Sequence, residues 1–573
     1  MNENEFTQME TIEIETGGEP SGLSRLLNRY FHHLDRGGTL KGEVMAGITL
    51  FFLSICMIFM NMQIVASAIN GNVELRTAPA DPVNIAAAST YAQIYVGSIL
   101  IAFIGSLVIG LVARLPFAQL STMGLASSML SLVGTQAGLS YYNLLFINLI
   151  AAIIYSAVVG IPVIREYVYK ALPNSVRKAL PVTVGLMIAY IALQMSGIVS
   201  TSKIGLGNRN SQNINIITGL TAFSSERKLA FYALISIVLA ILIYGLFKFF
   251  KRKHPVFWSL IGGTVIFILA NGLLIGFDVA NTESFLNFGR IWMAAASQAS
   301  PDTPFGDSYL TYFGAALSAI FSNLGHVLTK GADFSAYSGN TITLVISGIL
   351  CYVFVGMYDT EGTLLAAKPS LNKDSNEAGK VDFDNQKGIR TAQLCNAGMN
   401  VIAPFFGVGG VSVSKSSLSA AEDNGKSGLV PIIASIGFLI SLFIMAFPVL
   451  FATTTYPVGS MNQWNYNAYG NGGFVYLMQG ASFGIADAVM VCVGLSTLRG
   501  LKNVNWKDIT EIIPVIVTIV MSVVLLNLAF GIASGVILFC LTKLLSFRKS
   551  SLREIGIPTA ILSVLMVIML FLM

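Results

Sequence analysis

Charged side chains are scarce in this sequence. Asp, Glu, Lys and Arg together make up 11% of the 573 residues, whereas 54% of the residues are hydrophobic. Soluble domains carry about 25% charged residues, so the composition excludes an ordinary soluble domain and predicts an integral membrane protein. The net charge of +5 gives no reason to expect a nucleic-acid partner.

Cysteine, histidine and catalytic motifs are also few or missing. The five cysteines all lie in long apolar runs without CxxC spacing, which favours packing positions over a disulfide or metal framework. The four histidines lack the spacing of metal ligands. The sequence contains no HExxH motif and no phosphate-binding loop. We therefore expect no enzymatic activity, no metal site and no cofactor, apart from a coupling ion such as H+.

Long apolar runs fill most of the chain and predict an all-α, multi-pass membrane protein. A membrane-spanning helix needs about 20 apolar residues. A further run, 556–573, is either an additional span or a segment that lies in the membrane interface. The fourteen predicted spans are 43–68, 93–114, 117–137, 141–164, 175–199, 228–249, 256–278, 342–366, 390–408, 411–424, 427–452, 475–498, 509–526 and 529–547.

Basic residues are concentrated after even-numbered spans. "REYVYKALPNSVRK" follows the fourth span, "KFFKRKHP" the sixth and "SFRKSS" the fourteenth. Cytoplasmic loops carry an excess of Lys and Arg, so we place these loops and the N-terminal segment 1–42 in the cytoplasm of a cell-membrane protein. Segment 1–42 is polar, and we expect it to be largely disordered.

The predicted spans divide into two groups of seven, 43–278 and 342–547, as expected for the inverted repeats of a secondary transporter. An extracellular connection, 279–341, separates the groups. Its stretch 309–330 is amphipathic, and we expect it to lie on the membrane surface. The apolar segment 548–573 follows the second group.

The third and tenth spans open with similar sequence patterns. The third opens "RLPFAQLSTMGLASSML" and the tenth "FFGVGGVSVSKSSLSAA", so each starts with poor helix formers and continues with serines. One interpretation is a short extended piece followed by a half-helix whose N-terminal amides meet a solute. The other is an ordinary short span with small residues at helix contacts.

Two acids lie inside the eighth span, in "VFVGMYDTEGTL". A charge at the centre of a bilayer costs roughly 2.5–3.5 kcal/mol, so intramembrane acids usually have a function. Helical spacing gathers Tyr352, Gly356, Asp359 and Thr363 on one face, and Gly356 is expected to leave open space beside the carboxylate. Asp359 is therefore a candidate ligand, with a purely structural acid as the alternative. Glu361 points the other way, either toward protein or toward water.

Lys415, in "SVSKSSL" at the start of the proposed tenth half-helix, is the one cation we single out. It could pair with Asp359, receive an anionic solute, or extend to a water-filled vestibule. The sequence leaves these three interpretations open. Asp487 in the twelfth span is a weaker candidate.

Several motifs resemble the AzgA-like branch of the nucleobase:cation symporters, in the xanthine/uracil permease family. "GEVMAGITLFFLSICMIFMN" resembles E-x-x-A-G-x-T-T-F-L-x-x-x-Y-I-x-x-V-N and places Asn61 on the family's Asn. "PFAQLSTMGL" resembles P-F-A-x-A-P-G-M-G-L and keeps Met123 and Gly124. "YDTEGTL" resembles F-D-T-x-G-T-L and keeps Asp359 and Thr363.

The resemblance implies the uracil-permease fold and transport of hypoxanthine, guanine and adenine. A core domain (spans 1–4 and 8–11) would hold the solute between the half-helices of spans 3 and 10, and a gate domain (spans 5–7 and 12–14) would face it. Asp359 would accept ring N–H donors, and proton coupling would use Asp359 and Glu361. The other substrate-binding residues expected are Asn61, Thr122, Met123, Gly124, Tyr352, Gly356, Thr363, Ser414, Lys415 and Ser416.

The sequence departs from the family where solute is expected to bind. Gly356 replaces the first Asp of the eighth-span motif, Ala126 replaces an Asn, and Ser416 replaces a tenth-span Glu with Lys415 beside it. An ungapped alignment places Asn396 on a ninth-span Asp. These losses open two alternatives, a transporter of a small anion or anionic heterocycle that uses Lys415, and a membrane sensor that does not transport.

The partners expected are a small-molecule solute, with a nucleobase as the leading interpretation, and the lipid bilayer. A homodimer stays open, and nothing indicates nucleic acid.

Overall fold

The computed structural model describes residues 22–69, 82–121, 141–195, 200–206, 209–215, 227–275, 309–334, 339–373, 375, 387–444, 482–524, 528–546 and 555–572. Within these ranges the chain is mostly helical, as predicted. The α-helices are α1 (Gly22–Phe31), α2 (Leu40–Ile69), α3 (Pro82–Val108), α4 (Tyr141–Gly160), α5 (Pro162–Ala171), α6 (Asn174–Met195), α7 (Arg227–Phe249), α8 (Pro255–Ile275), α9 (Tyr309–Thr329), α10 (Gly339–Asn372), α11 (Lys387–Ile402), α12 (Ser417–Glu422), α13 (Leu429–Ile444), α14 (Ser482–Ser496), α15 (Ile509–Val524), α16 (Leu528–Leu545) and α17 (Ile557–Leu572).

Shorter helical turns and four strands complete the described structure. A π-helical turn, Ile109–Ala113, ends α3, and 3-10 turns follow α11 (Ala403–Phe406) and α14 (Thr497–Asn503). The strands are β1 (Gln119–Ser121), β2 (Ser200–Leu206), β3 (Arg209–Asn215) and β4 (Val411–Val413).

The helices follow the apolar runs, because a helix satisfies its own backbone hydrogen bonds where water is absent. In the part of the chain that the structure describes, segments Val96–Ala113 and Tyr142–Gly160 are each long and apolar enough to cross a membrane on their own. The predicted number of crossings stays a prediction.

Helix α10 extends beyond the predicted span 342–366. Lys426 Nζ caps the end of this helix by donating to the carbonyl of Lys373 at 2.8 Å.

Strands β1 and β4 pair with each other, and we refer to them together as the crossing strands. They pair antiparallel, with Gln119 opposite Val413 and Ser121 opposite Val411. All six residues of the two strands are buried. Extended backbone at membrane depth is tolerated where protein covers it and its polar groups are paired. The extended pieces expected in spans 3 and 10 are therefore present, and the pairing between them is a feature that the sequence did not predict.

A second strand pair lies in the polar region after α6. Strands β2 and β3 form an antiparallel hairpin in which Ser200 lies opposite Asn215 and Leu206 opposite Arg209. This segment is rich in Asn and Ser. Its alternating side chains did not show the apolar period that marks a half-buried strand.

The helices pack in two groups. The first helix group contains α2, α3, α4, α10, α11, α12 and α13, together with β1 and β4. The second contains α6, α7, α8, α14, α15 and α16. The predicted division into a core and a gate domain stays a prediction. Helix α10 of the first group packs against α6 of the second, so it contacts both.

Helices α9 and α17 lie beside this arrangement. The amphipathic helix α9 packs on α3, α4 and the turn after α11, with Ile320, Asn323 and Val327 buried. Helix α17 packs against α5, α10 and α16, with Leu562 and Met566 buried and Ile557, Ile561 and Val564 exposed. Whether α17 spans the membrane stays open.

Candidate functional site

The buried ion pair between Asp359 and Lys415 lies where the first helix group meets the crossing strands. Lys415 Nζ is 2.8 Å from Asp359 Oδ1 and 3.1 Å from Oδ2. The two residues are only 1% and 6% exposed. Of the three roles that the sequence left open for Lys415, the structure shows the pairing. Each charge offsets the desolvation cost of the other, which is the usual condition for burying either.

The strand that leads to Lys415 is fixed by a buried amide. Asn400 of α11 donates from Nδ2 to the carbonyl of Val411 and accepts from its N–H, both at 2.7 Å. Tyr352 Oη donates to Asn400 Oδ1. The backbone N–H of Ser414 continues the ladder to the carbonyl of Ala118 at 2.8 Å. Tyr352 thus acts on β4 through Asn400, rather than beside Asp359 as its helical face suggested.

The hydroxyl groups predicted as ligands are bonded within the protein. Ser414 and Ser416 share a hydrogen bond of 2.5 Å, and Ser416 Oγ is 2.8 Å from Ser54 Oγ of α2. Thr363 Oγ1 donates to the carbonyl of Asp359, one turn earlier in its own helix, at 2.9 Å. These contacts hold the backbone around the ion pair, and a solute would have to compete with them for the same hydroxyls.

The space beside Gly356 is narrower than expected. A Cβ built on Gly356 would lie 3.4 Å from the Tyr155 ring of α4, so that ring limits the gap to ordinary van der Waals contact. Asn396 of α11 lies close by and donates from Nδ2 to Tyr155 Oη at 3.3 Å and to Thr360 Oγ1 at 3.0 Å. Its Oδ1 is buried and has no hydrogen-bond partner among the described residues.

The structure separates the two acids that the sequence grouped as coupling residues. Glu361 faces protein, and its Oε1 lies 3.5 Å from Nε of Arg177 at the start of α6. The Glu361 side chain is 3% exposed and that of Arg177 is 21% exposed. Glu361 therefore belongs to the contact between the two helix groups, whereas Asp359 belongs to the interior of the first.

Two more acids join the helix groups at the end of α12. Lys248 of α7 pairs with Glu422. Asp423 accepts from the backbone N–H groups of Val256 at 3.0 Å and Phe257 at 3.3 Å, so it caps the start of α8. In the contacts made by Glu361, Glu422 and Asp423, the acid always comes from the first helix group. The second group supplies either a basic side chain or the backbone N–H groups at the start of a helix.

Several predicted residues cannot be placed in the site. Thr122, Met123 and Gly124 lie outside the described residues. Asn61 lies on α2 and Asp487 on α14, but only their backbone is described. Sequence reasoning in turn missed Asn400, Tyr155, Ser54 and Asp423. The sequence does contain a signal for Asn400. Asn400 is four residues from Asn396, so the two amides share one face of α11.

The sequence is similar to curated nucleobase permeases over nearly its whole length, although no family model matches it. The guanine/hypoxanthine permease PbuO of Bacillus subtilis is 21% identical over 548 residues, covering 95% of this chain and 100% of that protein. The adenine permease AdeQ of Escherichia coli is 23% identical over 558 residues, covering 96% and 98%. AdeP of the same organism, also an adenine permease, is 23% identical over 551 residues, covering 95% and 96%.

Among solved structures, the transmembrane domain of the cyanobacterium bicarbonate transporter BicA is similar with a TM-score of 0.40 and 12% identity, covering 87% of this chain and 97% of that one. With its helical fold and permease relatives, the chain is a membrane transport protein and not an enzyme. The relatives confirm its resemblance to the xanthine/uracil permease family.

Proposed function

We propose that the chain is a secondary transporter of purine-like nucleobases in the cell membrane, with its N-terminus in the cytoplasm. The observation that supports this most is the nearly full-length similarity to permeases named for adenine and for guanine and hypoxanthine. In this proposal the two helix groups are the core and gate of two inverted seven-span repeats. The core would carry the solute past the gate.

The solute contacts follow from the acceptors near the crossing strands. A purine presents ring N–H donors, and both Asp359 and Asn396 offer buried oxygens that can accept them. Asn396 Oδ1 can accept a second donor beside Asp359, since no described residue donates to it. Asn61, Thr122, Met123 and Gly124 would complete the site from α2 and from the segment after β1.

Proton coupling through Asp359 is a further part of the proposal. The carboxylate contacts Lys415, so a coupled transport cycle would involve opening that ion pair. Asp359→Asn removes the carboxylate, and any purine uptake that this variant retains should no longer respond to a pH gradient. Asp359→Asn uptake that still follows the gradient would exclude Asp359 as the coupling residue.

The anion alternative uses the same lysine. A small anion at Lys415 would have to displace Asp359, which already neutralises the cation at 2.8 Å. The structure therefore favours a neutral heterocycle over an anion. Uptake of bicarbonate or sulfate that competes with adenine, and that Lys415→Met abolishes, would favour the alternative.

Flux assays with purified protein in liposomes test the proposal. Labelled adenine, guanine and hypoxanthine should accumulate faster than uracil, and excess unlabelled purine should block the uptake. The matched control is Asp508→Asn. Asp508 lies outside the site, and its side chain is 40% exposed. Purine binding without flux would indicate the sensor, and neither binding nor flux of any purine would overturn the proposed function.

A further inference from the structure

Two arginines lie at the same end of the bundle, where α4 ends and α11 begins, and the charge of one acts on the other. Arg165 lies on the short helix α5, which directly follows α4, and Arg390 lies in the first turn of α11. Helices α4 and α11 pack against each other, and α5 packs against α4. We propose that Arg165 and Arg390 together bind the phosphate group of an anionic phospholipid.

The guanidinium groups have hydrogen bonds to give. Nε and Nη1 of Arg165 and Nε of Arg390 are buried, yet none has an acceptor among the described residues. Leaving such donors unpaired is costly, and more so for charged groups. Buried donors that the protein does not satisfy are usually met by water or by a ligand.

The local charge also favours an anion. Burial lowers the pKa of Arg165 most, and the neighbouring charge of Arg390 lowers it further. Glu166 opposes this with the smallest effect of the three. Two cations held close together, with one partial counter-charge, attract a phosphate that can accept from both guanidinium groups at once.

Helix α5 adds an apolar surface next to the arginines. Val163, Ile164 and Tyr167 are 63%, 41% and 62% exposed. Val168 and Ala171, toward the end of the helix, and Leu172 just after it are packed on the protein. A helix with this division lies in the membrane interface, with its apolar face toward the acyl chains.

The apolar surface decides between a free anion and a lipid. Inorganic phosphate would satisfy the guanidinium donors and leave Val163, Ile164 and Tyr167 uncovered. A phospholipid satisfies the donors with its headgroup and covers the apolar side chains with its acyl chains. Basic pockets between membrane helices on the cytoplasmic side are known to bind anionic headgroups. The loop that contains α5 is on the side predicted to be cytoplasmic.

Thermal unfolding of the full-length protein in detergent tests the site. Added phosphatidylglycerol should raise the Tm of the wild type, whereas phosphatidylcholine and inorganic phosphate should not. In Arg165→Gln/Arg390→Gln the lipid should bind at least about tenfold more weakly, a loss of about 1.4 kcal/mol. The control Arg252→Gln/Lys253→Gln removes two exposed basic residues between α7 and α8 and should respond as the wild type does.

Native mass spectrometry gives a second readout if the glutamine variant is too unstable. Arg165→Lys/Arg390→Lys keeps both charges but loses the guanidinium geometry, so it should retain part of the bound phosphatidylglycerol, more than the single variant Arg390→Gln. Equal stabilisation by inorganic phosphate would indicate a free-anion site and overturn the lipid assignment. No preference of the wild type for phosphatidylglycerol over phosphatidylcholine would overturn the proposal altogether.

Discussion

Asp359 and Glu361 are two positions apart on one helix and serve different parts of the molecule. Asp359 faces Lys415 inside the first helix group, and Glu361 faces Arg177 across the boundary to the second. Residues two positions apart do not share a helix face. One motif therefore supplies both a buried charge near the crossing strands and an ionic contact between helix groups. The comparison suggests solute binding for the first acid and relative movement of the groups for the second.

The largest effect is expected from breaking the central pair. Lys415→Met leaves Asp359 buried without a counter-charge and should lower the free energy of unfolding by about 3–5 kcal/mol. Chemical denaturation in detergent measures the loss. The double variant Asp359→Asn/Lys415→Met removes both charges and should recover a large part of it. A double variant as unstable as Lys415→Met would contradict the pairing.

Removing the amide that holds β4 should have a smaller effect on the same region. Asn400→Ala leaves the N–H and the carbonyl of Val411 without their partner, for a loss of about 1–3 kcal/mol. Tyr352→Phe keeps both of those bonds and removes only the hydroxyl, so it should cost about 0.5–1.5 kcal/mol. Denaturation of both variants compares them, and Tyr352→Phe should be the more stable. The reverse order would exclude Asn400 as the main support of the strand.

The ion pair between helix groups should matter less for stability. Arg177 is 21% exposed, so water can solvate it after Glu361→Gln. Exposed pairs contribute about 0–1 kcal/mol, and we expect a loss near the upper end of that range. The rate of purine uptake should change more than stability does, because the pair joins groups that would move past each other. A stability loss equal to that of Lys415→Met, with unchanged uptake, would remove the distinction between the two acids.

The smallest expected effect is on the loss of stability at acidic pH. It involves His254, which precedes α8 and contacts the carbonyl of Asp423. Burial lowers the pKa of His254 below its usual 6.5, and the charges of Lys253 and Lys41 lower it further. The bond with the Asp423 carbonyl raises it by less than burial lowers it. A histidine held neutral stabilises the fold fully above pH 6.5, and that stabilisation declines as the pH falls.

His254→Gln should therefore show a shallower fall in Tm between neutral and mildly acidic pH than the wild type. His33, whose pKa is also lowered by burial, is present in both proteins. Its contribution to the pH profile is therefore the same in both, and the difference between the profiles reports on His254. Identical pH profiles for wild type and variant would exclude His254 as a source of acid sensitivity.

The positions of the helices and the crossing pieces could be read from the sequence because each has a local cause. Apolar runs mark the helices, and Gly407, Gly409 and Gly410 mark the non-helical start of span 10. Asp359 and Lys415 could be singled out because charges in apolar runs are costly.

The contacts between these residues could not be read in the same way. Whether Lys415 pairs with Asp359 depends on how β4 lies across α10, and the sequence left three interpretations. Tyr155 gave no signal, since an aromatic residue in an apolar helix looks like any other packing residue. Arg165 counted only as a loop charge and Arg390 only as the first residue of a predicted span, because what brings them to one end of the bundle is the packing of α4, α5 and α11.

Purine-dependent thermal unfolding of the wild type and Asp359→Asn tests the central claim most directly. At a hundredfold excess of adenine or guanine over its Kd, binding should stabilise the wild type by about 2.7 kcal/mol. The same purine concentration should leave Asp359→Asn with little or no stabilisation, while Asp508→Asn responds as the wild type does. An undiminished response of Asp359→Asn would show that the purine binds elsewhere and would contradict the site described for this transporter.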